Sequence, residues 1–428
     1  MIDFGPPAEL PASGRPADDV LGELEGMRSG DVDWRAGRSF GLVFHAGDEV
    51  EAVARAASVM YLEENGLNPL AFPSLGRMQQ DVVDMASGMF HGRDDGRQAA
   101  GFMTSGGTES LLLAVEAARN RGRDERGVTE PEMVVARSAH AAFHKAGGYF
   151  GVKVNVVPVR DDWRVDVDAM ASAVNDRTVL VVGSAPQYPQ GVIDPIPEIA
   201  SLAAERGINC HVDACMGGFV LPFMEDLGYD LPPWDFRVEG VTSISADVHK
   251  LGYAPKGASV LIHRDVTLRN HHVFMFDDWL GGFYASSGLA GSKPAGPMAA
   301  AWAVMNLIGR DGYRRLTATT IEATRRMIDG VRSTPGLTVL GEPQAQCVAI
   351  SAAEGATVDV FAVMDELATK GWHLDRQKPP DSLHATVSAG TAPAVDDFVA
   401  DLRAAVEKVG DRRTEDRSTD YAPIDPSS

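Results

Sequence analysis

Runs of β-branched and small apolar residues alternate with helical segments through the middle of the chain, from about residue 98 to residue 300. Strand, helix and strand at this spacing are typical of βαβ units, whose strands lie parallel in one sheet. The pattern therefore predicts an α/β fold with a large, mostly parallel sheet. The predicted strands are Met133–Ala136, Val154–Val159, Thr178–Gly183, Ile208–Asp213, Ser243–Ala246 and Ala258–Ile262.

The remainder of the chain divides around this block. Residues 1–74 are predicted to be partly flexible and then helical, and residues 75–310 to form the large α/β domain. Residues 311–410 change to a smaller α+β pattern. Residues 411–428 are charged and almost free of large apolar groups, which predicts a disordered tail.

Charge and cysteine content narrow the class of protein. The net charge of −21 argues against nonspecific binding to nucleic acid or to anionic membranes. Cys210, Cys215 and Cys347 form no disulfide framework and no zinc-binding pattern, so we expect no metal and buried thiols in a reducing compartment. With no signal-peptide pattern and no apolar run of roughly 20 residues, we expect a cytoplasmic protein without a membrane anchor.

A histidine-lysine pair, His249-Lys250, follows the predicted strand Ser243–Ala246. A buried ammonium is costly unless it is paired, whereas a partly desolvated amine loses its proton more easily and can form a Schiff base with an aldehyde. Asp213 ends another apolar run. A strand-end Lys and a strand-end Asp are the two groups that pyridoxal 5'-phosphate (PLP) needs, although Asp213 could instead be a helix N-cap.

A run of small residues, Ser105-Gly106-Gly107-Thr108, precedes the helical run Leu111–Arg119. Small residues let the backbone approach an anion, and the first turn of a helix supplies free N–H groups. These four residues are therefore predicted to hold the phosphate of PLP. The alternative is an ordinary glycine turn with Thr108 as N-cap.

Three further residues are candidates for the same site. His140 follows the strand Met133–Ala136 among small residues, where its ring could stack on a flat cofactor, although a lone histidine is more often structural. His249 could reach the phosphate. Lys256 is either a second cation of the site or a solvated turn lysine.

Eight segments, in order within roughly residues 40–390, match the motifs of one family. They are Thr104–Ser110, Ser138–Phe143, Gln187–Pro195, His211–Phe219, Phe236–Lys250, Asp278–Ser286, Ala290–Pro294 and Lys370–Leu374. Through them the chain resembles the sphingosine-1-phosphate lyases, which are PLP-dependent carbon–carbon lyases related to the group II amino-acid decarboxylases.

The resemblance implies a fold-type I PLP enzyme that acts as a homodimer, with residues 75–310 binding the cofactor. It implies that Lys250 forms the Schiff base with the cofactor, that Asp213 pairs with the pyridine nitrogen and that His140 stacks on the ring. Ser292 would be contributed to the site by the partner subunit.

The resemblance also implies that Gly107, Thr108 and His249 hold the phosphate, and that Tyr188 and Lys256 line the substrate side. The implied activity is retro-aldol cleavage of a phosphorylated long-chain amino alcohol, similar to sphingosine-1-phosphate, to a fatty aldehyde and phosphoethanolamine. The base could be Lys256, Tyr188 or the released Lys250.

The chain departs from the family pattern in three places. Leu70-Ala71-Phe72-Pro73 is shorter than its counterpart and lacks a histidine that is associated with the substrate phosphate. The family's Phe-Pro-His-Gly is Tyr188-Pro189-Gln190-Gly191 here. The N-terminal membrane anchor of the eukaryotic members is also missing from the sequence.

Two other functions stay open. A PLP-dependent amino-acid decarboxylase would need a cation for the substrate carboxylate, and Arg376 is the candidate, although a solvent-exposed loop arginine is the more common case. A PLP-binding protein without turnover would act by sequestering the cofactor or a partner.

Overall fold

The computed structural model of the protein describes residues 9–419. Its strands are β1 (Ala100–Thr104), β2 (Glu132–Ala136), β3 (Lys153–Val157), β4 (Thr178–Ser184), β5 (Asn209–Asp213), β6 (Ser243–Ala246), β7 (Ser259–His263), β8 (Phe274–Phe276), β9 (Tyr284–Ser286), β10 (Leu337–Val339), β11 (Cys347–Ala352), β12 (Asp375–Gln377) and β13 (Ser382–Thr386). A seven-stranded sheet has the order β1-β7-β6-β5-β4-β2-β3, a four-stranded sheet has the order β10-β11-β13-β12, and β8 pairs with β9.

The large sheet is buried on both faces. Every residue of β2, β4, β5, β6 and β7 is buried. Continuous apolar runs such as Val179–Val182 are what a parallel sheet covered by helices requires. Only β7 runs antiparallel to its neighbours β1 and β6. The predicted α/β fold with a mostly parallel sheet is therefore confirmed.

Helices cover both sheets. Strand β1 was not predicted, because its run is short and includes a glycine. The structure explains this glycine, Gly101, because a side chain there would collide with Ile262 on β7. The helices are α1 (Ala17–Met27), α2 (Asp48–Met60), α3 (Pro73–Met89), α4 (Gly107–Arg126), α5 (Ala142–Phe150), α6 (Val167–Ala173), α7 (Ile196–Arg206), α8 (Leu221–Asp226), α9 (Val266–Asn270), α10 (Gly296–Arg332), α11 (Val360–Ala368) and α12 (Val395–Val409).

Helix α10 connects the large sheet to the small one. It packs against α2 and α3 at one end and against α12 and β10 at the other. Gly309 interrupts it with φ 59° and ψ 175°, which leaves two helical stretches. The predicted domain boundary between residues 310 and 311 falls one residue beyond this glycine, and the division into domains stays a prediction.

The small sheet has a core of its own, formed with α11, α12 and the second half of α10. Residues 411–419, the first part of the predicted disordered tail, are tied to this unit by charge. Arg417 binds both carboxylate oxygens of Asp359, at 2.7 and 2.8 Å, and also pairs with Asp381. Composition alone does not show such pairs. Residues 420–428, the rest of the predicted tail, and residues 1–8 lie outside the described residues.

Helix α1 leaves its apolar side chains uncovered in the single chain. None of its residues is buried, and Leu21, Leu24 and Met27 are each more than half exposed. Among the described residues, none of the helices has the length and apolar character that crossing a bilayer requires.

We predict that His272 makes the fold sensitive to acid. It is 3% exposed, neither ring nitrogen has a hydrogen-bond partner among the described residues, and burial lowers its pKa to about 4. The unfolded chain gains a proton below its ordinary pKa of about 6.5 while the folded chain does not, so stability is lost as the pH falls from about 6.5 to about 4.

The variant His272→Phe should show a smaller loss of unfolding free energy than the parent between about pH 7.5 and about pH 5, by about 2 kcal/mol. Denaturant unfolding of both proteins at the two pH values measures the difference. An unchanged pH dependence in the variant would contradict the prediction.

Candidate active site

The parallel strands bring the predicted cofactor residues to one edge of the large sheet. Strands β1 and β6 point the same way because both are antiparallel to β7, and β2, β4 and β5 are parallel to β6. Ligands of open α/β sheets bind outside the carboxyl ends of the strands. The residues at these ends are Ser105–Thr108 after β1, His140 after β2, Tyr188 after β4, Asp213 at the end of β5, and His249 and Lys250 after β6.

A buried carboxylate, Asp247, fixes the position of the Lys250 amine. Its side chain is 1% exposed, and its Oδ2 lies 2.9 Å from Lys250 Nζ and 3.7 Å from His249 Nε2. Burial alone would raise the pKa of Asp247, but the charges of Lys250 and then His249 outweigh it and hold that pKa below its ordinary value. Asp247 is not among the predicted site residues, although its spacing of three residues from Lys250 in a buried run was a signal for it.

The turn between β1 and α4 passes very close to Asp247. A Cβ atom on Gly107 would lie 2.9 Å from Asp247 Oδ2 and 2.9 Å from Cys215 Sγ, so only glycine fits there. A Cβ atom on Gly106 would lie 3.3 Å from His249 Cε1. Helix α4 starts at Gly107 without a side-chain cap, so its first N–H groups are available beside His249, and Thr108 does not act as its N-cap.

Glu109 binds this turn and also a loop that is distant in the sequence. Its Oε2 accepts hydrogen bonds of 2.7 Å from both the N–H and the hydroxyl of Ser105. Its Oε1 accepts one of 2.9 Å from the Leu289 N–H. Glu109 is also not among the predicted site residues, because nothing in the local pattern shows that a carboxylate in a first helical turn folds back onto the preceding loop.

Asp213 presents one carboxylate oxygen toward the site. Its Oδ1 accepts hydrogen bonds from the Cys215 N–H at 3.1 Å and from Ser245 Oγ at 3.4 Å. No donor within residues 9–419 reaches its Oδ2. The alternative role as a helix N-cap is excluded, because α8 begins only at Leu221.

His140 and His249 are both held as neutral rings. Burial lowers the pKa of His140, and its Nδ1 accepts a hydrogen bond of 3.1 Å from the Ala142 N–H. Burial lowers the pKa of His249 to about 4, against the opposing charge of Asp247. Because His249 Nδ1 accepts from the Ala258 N–H at 3.3 Å, its Nε2 carries the proton and is a donor beside the glycine turn.

Lys256 places a second amine near Lys250. The residue is exposed overall, but its Nζ donates a hydrogen bond of 3.0 Å to the His249 carbonyl and lies 4.9 Å from the centre of the Phe44 ring. Burial of the amine and then the charge of Lys250 lower the pKa of Lys256 to about 8. The hydrogen bond and the ring contact distinguish this lysine from a freely solvated one, and its catalytic role stays a prediction.

Tyr188 joins the sheet edge to the small domain. Its hydroxyl donates a hydrogen bond of 2.6 Å to Asp375 Oδ2, and its ring stacks on His384 with centroids 3.7 Å apart. Tyr188 and His140 line a cavity of about 390 Å³, which Trp163 and residues 375–379 also line. A substrate at this edge of the sheet would have room between the two domains.

Two candidate residues, Ser292 and Arg376, are engaged in contacts outside the cofactor site. The exposed Ser292 accepts a hydrogen bond of 3.0 Å from Asn65, so its predicted contribution to a partner's site stays a prediction. Arg376 is not an exposed loop cation, because it lies in β12 with its side chain 10% exposed. It pairs with Asp365 and with Asp416, the latter at 3.0 Å.

The donor set fits PLP. A lysine amine is fixed for an aldehyde, Asp213 Oδ2 is left for a ring N–H, and a glycine turn at a helix start is shaped for a phosphate. Lys250, Asp213 and residues 105–108 would hold PLP, which itself supplies the aldehyde, the ring N–H and the phosphate.

Comparison with known proteins agrees with this assignment. The conserved domain of the pyridoxal-dependent decarboxylases matches residues 6–352. A sphingosine-1-phosphate lyase from Oryza sativa is 41% identical over 94% of this chain and 74% of its own length. The solved sphingosine-1-phosphate lyase from Burkholderia pseudomallei superimposes with a TM-score of 0.90 at 40% identity, covering 95% of this chain and 94% of that one.

A probable L-aspartate decarboxylase from Pyrococcus furiosus is 32% identical over 86% of this chain and 95% of its own length. The lower identity places it further away than the lyases. The chain is thus a PLP-dependent protein that belongs to the pyridoxal-dependent decarboxylase family, in its sphingosine-1-phosphate lyase branch.

Proposed function

We propose that the chain is a PLP-dependent aldehyde-lyase that cleaves a phosphorylated long-chain amino alcohol, similar to sphingosine-1-phosphate, to a fatty aldehyde and phosphoethanolamine. The observation that carries the proposal is the placement of the Lys256 amine, which donates a hydrogen bond of 3.0 Å to the carbonyl of His249, the residue next to Lys250. Its surroundings also lower the pKa of Lys256 to about 8. Cleavage of a β-hydroxy amine needs a base for the hydroxyl proton, and a group that titrates near the working pH is suited to that task.

PLP supplies an aldehyde that condenses with amines and a protonated ring that accepts the electron pair released at the substrate carbon. Asp247 holds the Lys250 amine at 2.9 Å and so keeps the lysine oriented toward the aldehyde that a bound cofactor would present. Asp213 Oδ2 would accept a hydrogen bond from the ring N–H of the cofactor, and the neutral His140 ring would offer it a flat apolar face. His249 Nε2 and the N–H groups of residues 106–108 would bind its phosphate.

Lys256 Nζ takes the proton from the β-hydroxyl oxygen of the substrate. As that oxygen becomes a carbonyl, the bond between the α and β carbons breaks and the aldehyde leaves. The α carbon then takes up a proton, which yields the amine product. Tyr188, whose hydroxyl already donates to Asp375, is better placed to line the substrate cavity than to act as this base.

The first prediction tests the reaction. Purified, PLP-loaded protein should release long-chain aldehyde from dihydrosphingosine-1-phosphate, and Lys250→Ala should lose both this activity and the visible absorbance of the cofactor bound to the lysine. Aldehyde quantification and absorption spectra measure the two effects. A parent protein that binds PLP but releases no aldehyde would refute this substrate, and a biological effect retained by Lys250→Ala would favour cofactor sequestration.

The second prediction tests Lys256. Lys256→Gln should bind PLP normally but lower kcat by about 100-fold or more, as expected for loss of a positioned base. Parent activity should rise with pH through about 8, because only the unprotonated amine accepts a proton.

Lys256→Arg is the matched control, because it keeps the positive charge but does not lose its proton at accessible pH. It should be as inactive as Lys256→Gln at every pH. An active arginine variant would show that the site needs charge rather than a base at this position.

Amino-acid decarboxylation is the second candidate, favoured by the similarity to the probable L-aspartate decarboxylase. The residue predicted to bind the substrate carboxylate is already occupied, because Arg376 pairs with Asp365 and Asp416. Release of carbon dioxide from aspartate and glutamate, assayed on the same protein, decides between the two reactions.

We further propose that the protein is a cytoplasmic homodimer. Its three cysteines are buried free thiols, which suits a reducing compartment. Two apolar surfaces are uncovered in the single chain, α1 and the segment that contains β8 and β9, and such surfaces mark interfaces. In the second surface the side chains more than half exposed are those of Phe274, Met275, Trp279, Leu280 and Phe283.

The dimer proposal predicts complementation between subunits. Sedimentation should give twice the chain mass of 45.6 kDa. If Ser292 serves the partner's site, Ser292→Asp and Lys250→Ala should each be inactive alone. Their co-expressed mixture should regain about a quarter of parental activity, since half of the dimers are mixed and each has one intact site. No recovery from proven mixed dimers would place Ser292 outside the partner's site.

A further inference from the structure

Four buried polar side chains lie on one face of two neighbouring strands at the centre of the large sheet. Strands β5 and β6 are parallel and pair His211 with Ser243 and Asp213 with Ser245. Because side chains alternate along a strand, these four residues share a face. None is more than 8% exposed. Polar groups buried this deeply must satisfy one another.

They do so in a continuous chain of hydrogen bonds. His211 Nδ1 lies 2.9 Å from Ser243 Oγ, and His211 Nε2 lies 3.1 Å from Ser245 Oγ. Ser245 Oγ lies 3.4 Å from Asp213 Oδ1. We call this series from Ser243 through His211 and Ser245 to Asp213 the relay. It ends on the carboxylate that would face the cofactor nitrogen.

The chemistry of each group fixes the direction of this chain. An ionised carboxylate only accepts, so Ser245 donates its single proton to Asp213 and must accept from His211 Nε2–H. His211 Nδ1 then has no proton and accepts from the Ser243 hydroxyl. Burial lowers the pKa of His211 to about 4, which agrees with a neutral ring that has one proton. Every donor points toward Asp213.

We propose that His211 and Ser245 are positioning residues that hold the Asp213 carboxylate by its Oδ1 and so reserve Oδ2 for the PLP ring nitrogen. The Cys215 N–H binds the same Oδ1 at 3.1 Å. With both donors on one oxygen, the carboxylate cannot rotate without losing them. Hydrogen bonds in such a chain polarise one another, so the two positioning residues act as one unit.

The test measures PLP affinity by titrating the apo protein, without any substrate. Ser245→Ala should weaken PLP binding by about 10-fold, the effect of losing one hydrogen bond to a charged group. His211→Phe should have a similar effect, because it removes the donor that orders Ser245. Ser245→Thr keeps the hydroxyl and should bind PLP nearly as well as the parent.

The double variant that combines Ser245→Ala with His211→Phe tests whether His211 acts through Ser245 or independently of it. If His211 acts through Ser245, the double variant binds PLP about 10-fold more weakly than the parent, whereas independent roles give about 100-fold. The visible absorption spectrum of bound PLP at fixed neutral pH should change in the same direction in Ser245→Ala and His211→Phe.

Thr242→Val is the matched control. Thr242 directly precedes β6, faces away from the relay and makes buried hydrogen bonds to the Cys210 backbone at 2.8 and 3.1 Å. It should lower thermal stability but leave PLP affinity and spectrum unchanged. Parental PLP affinity in Ser245→Ala, or a multiplicative double variant, would overturn the proposal, and neither result depends on which substrate the enzyme cleaves.

Discussion

The ion pair between Asp247 and Lys250 is the interaction on which the site depends. A carboxylate that is 1% exposed is tolerated only with a partner, and here the partner is the amine that must be held for the cofactor. The same carboxylate forces glycine at position 107, because no side chain fits between it and the start of α4. One charge pair thereby places the lysine, the neighbouring histidine and the phosphate turn relative to one another.

Much of this could be predicted from the sequence where a single strand carries the information. Buried β-branched runs predicted the sheet, and residues at strand ends identified Lys250, Asp213 and His140 as candidates. The spacing of Asp247 from Lys250 was a local signal for their ion pair. The contact of Asp247 with Gly107 and that of Glu109 with Leu289 join segments far apart in the chain and have no such signal. A pattern shows that a carboxylate lies in a buried run, but not which glycine or backbone N–H folds against it.

In the small domain, too, contacts between distant residues could not be predicted from the sequence. Residues 411–419 have the composition of a disordered segment, yet Arg417 places its guanidinium 4.4 Å from the Phe361 ring centre and between two carboxylates. Arg376 looked like a loop cation and is instead enclosed by Asp365 and Asp416. In both cases pairing between distant charges decides the structure, and local composition does not contain it.

The carboxylate of Glu109 touches two segments at once, Ser105 in the phosphate turn and Leu289 in the loop that precedes Ser292. If the protein is the dimer proposed above and Ser292 serves the partner's site, this loop would lie at the subunit interface. Ordering of the turn by a bound anion and ordering of the loop by a second subunit would then be coupled through Glu109. Cofactor binding and subunit association would each strengthen the other by the same factor.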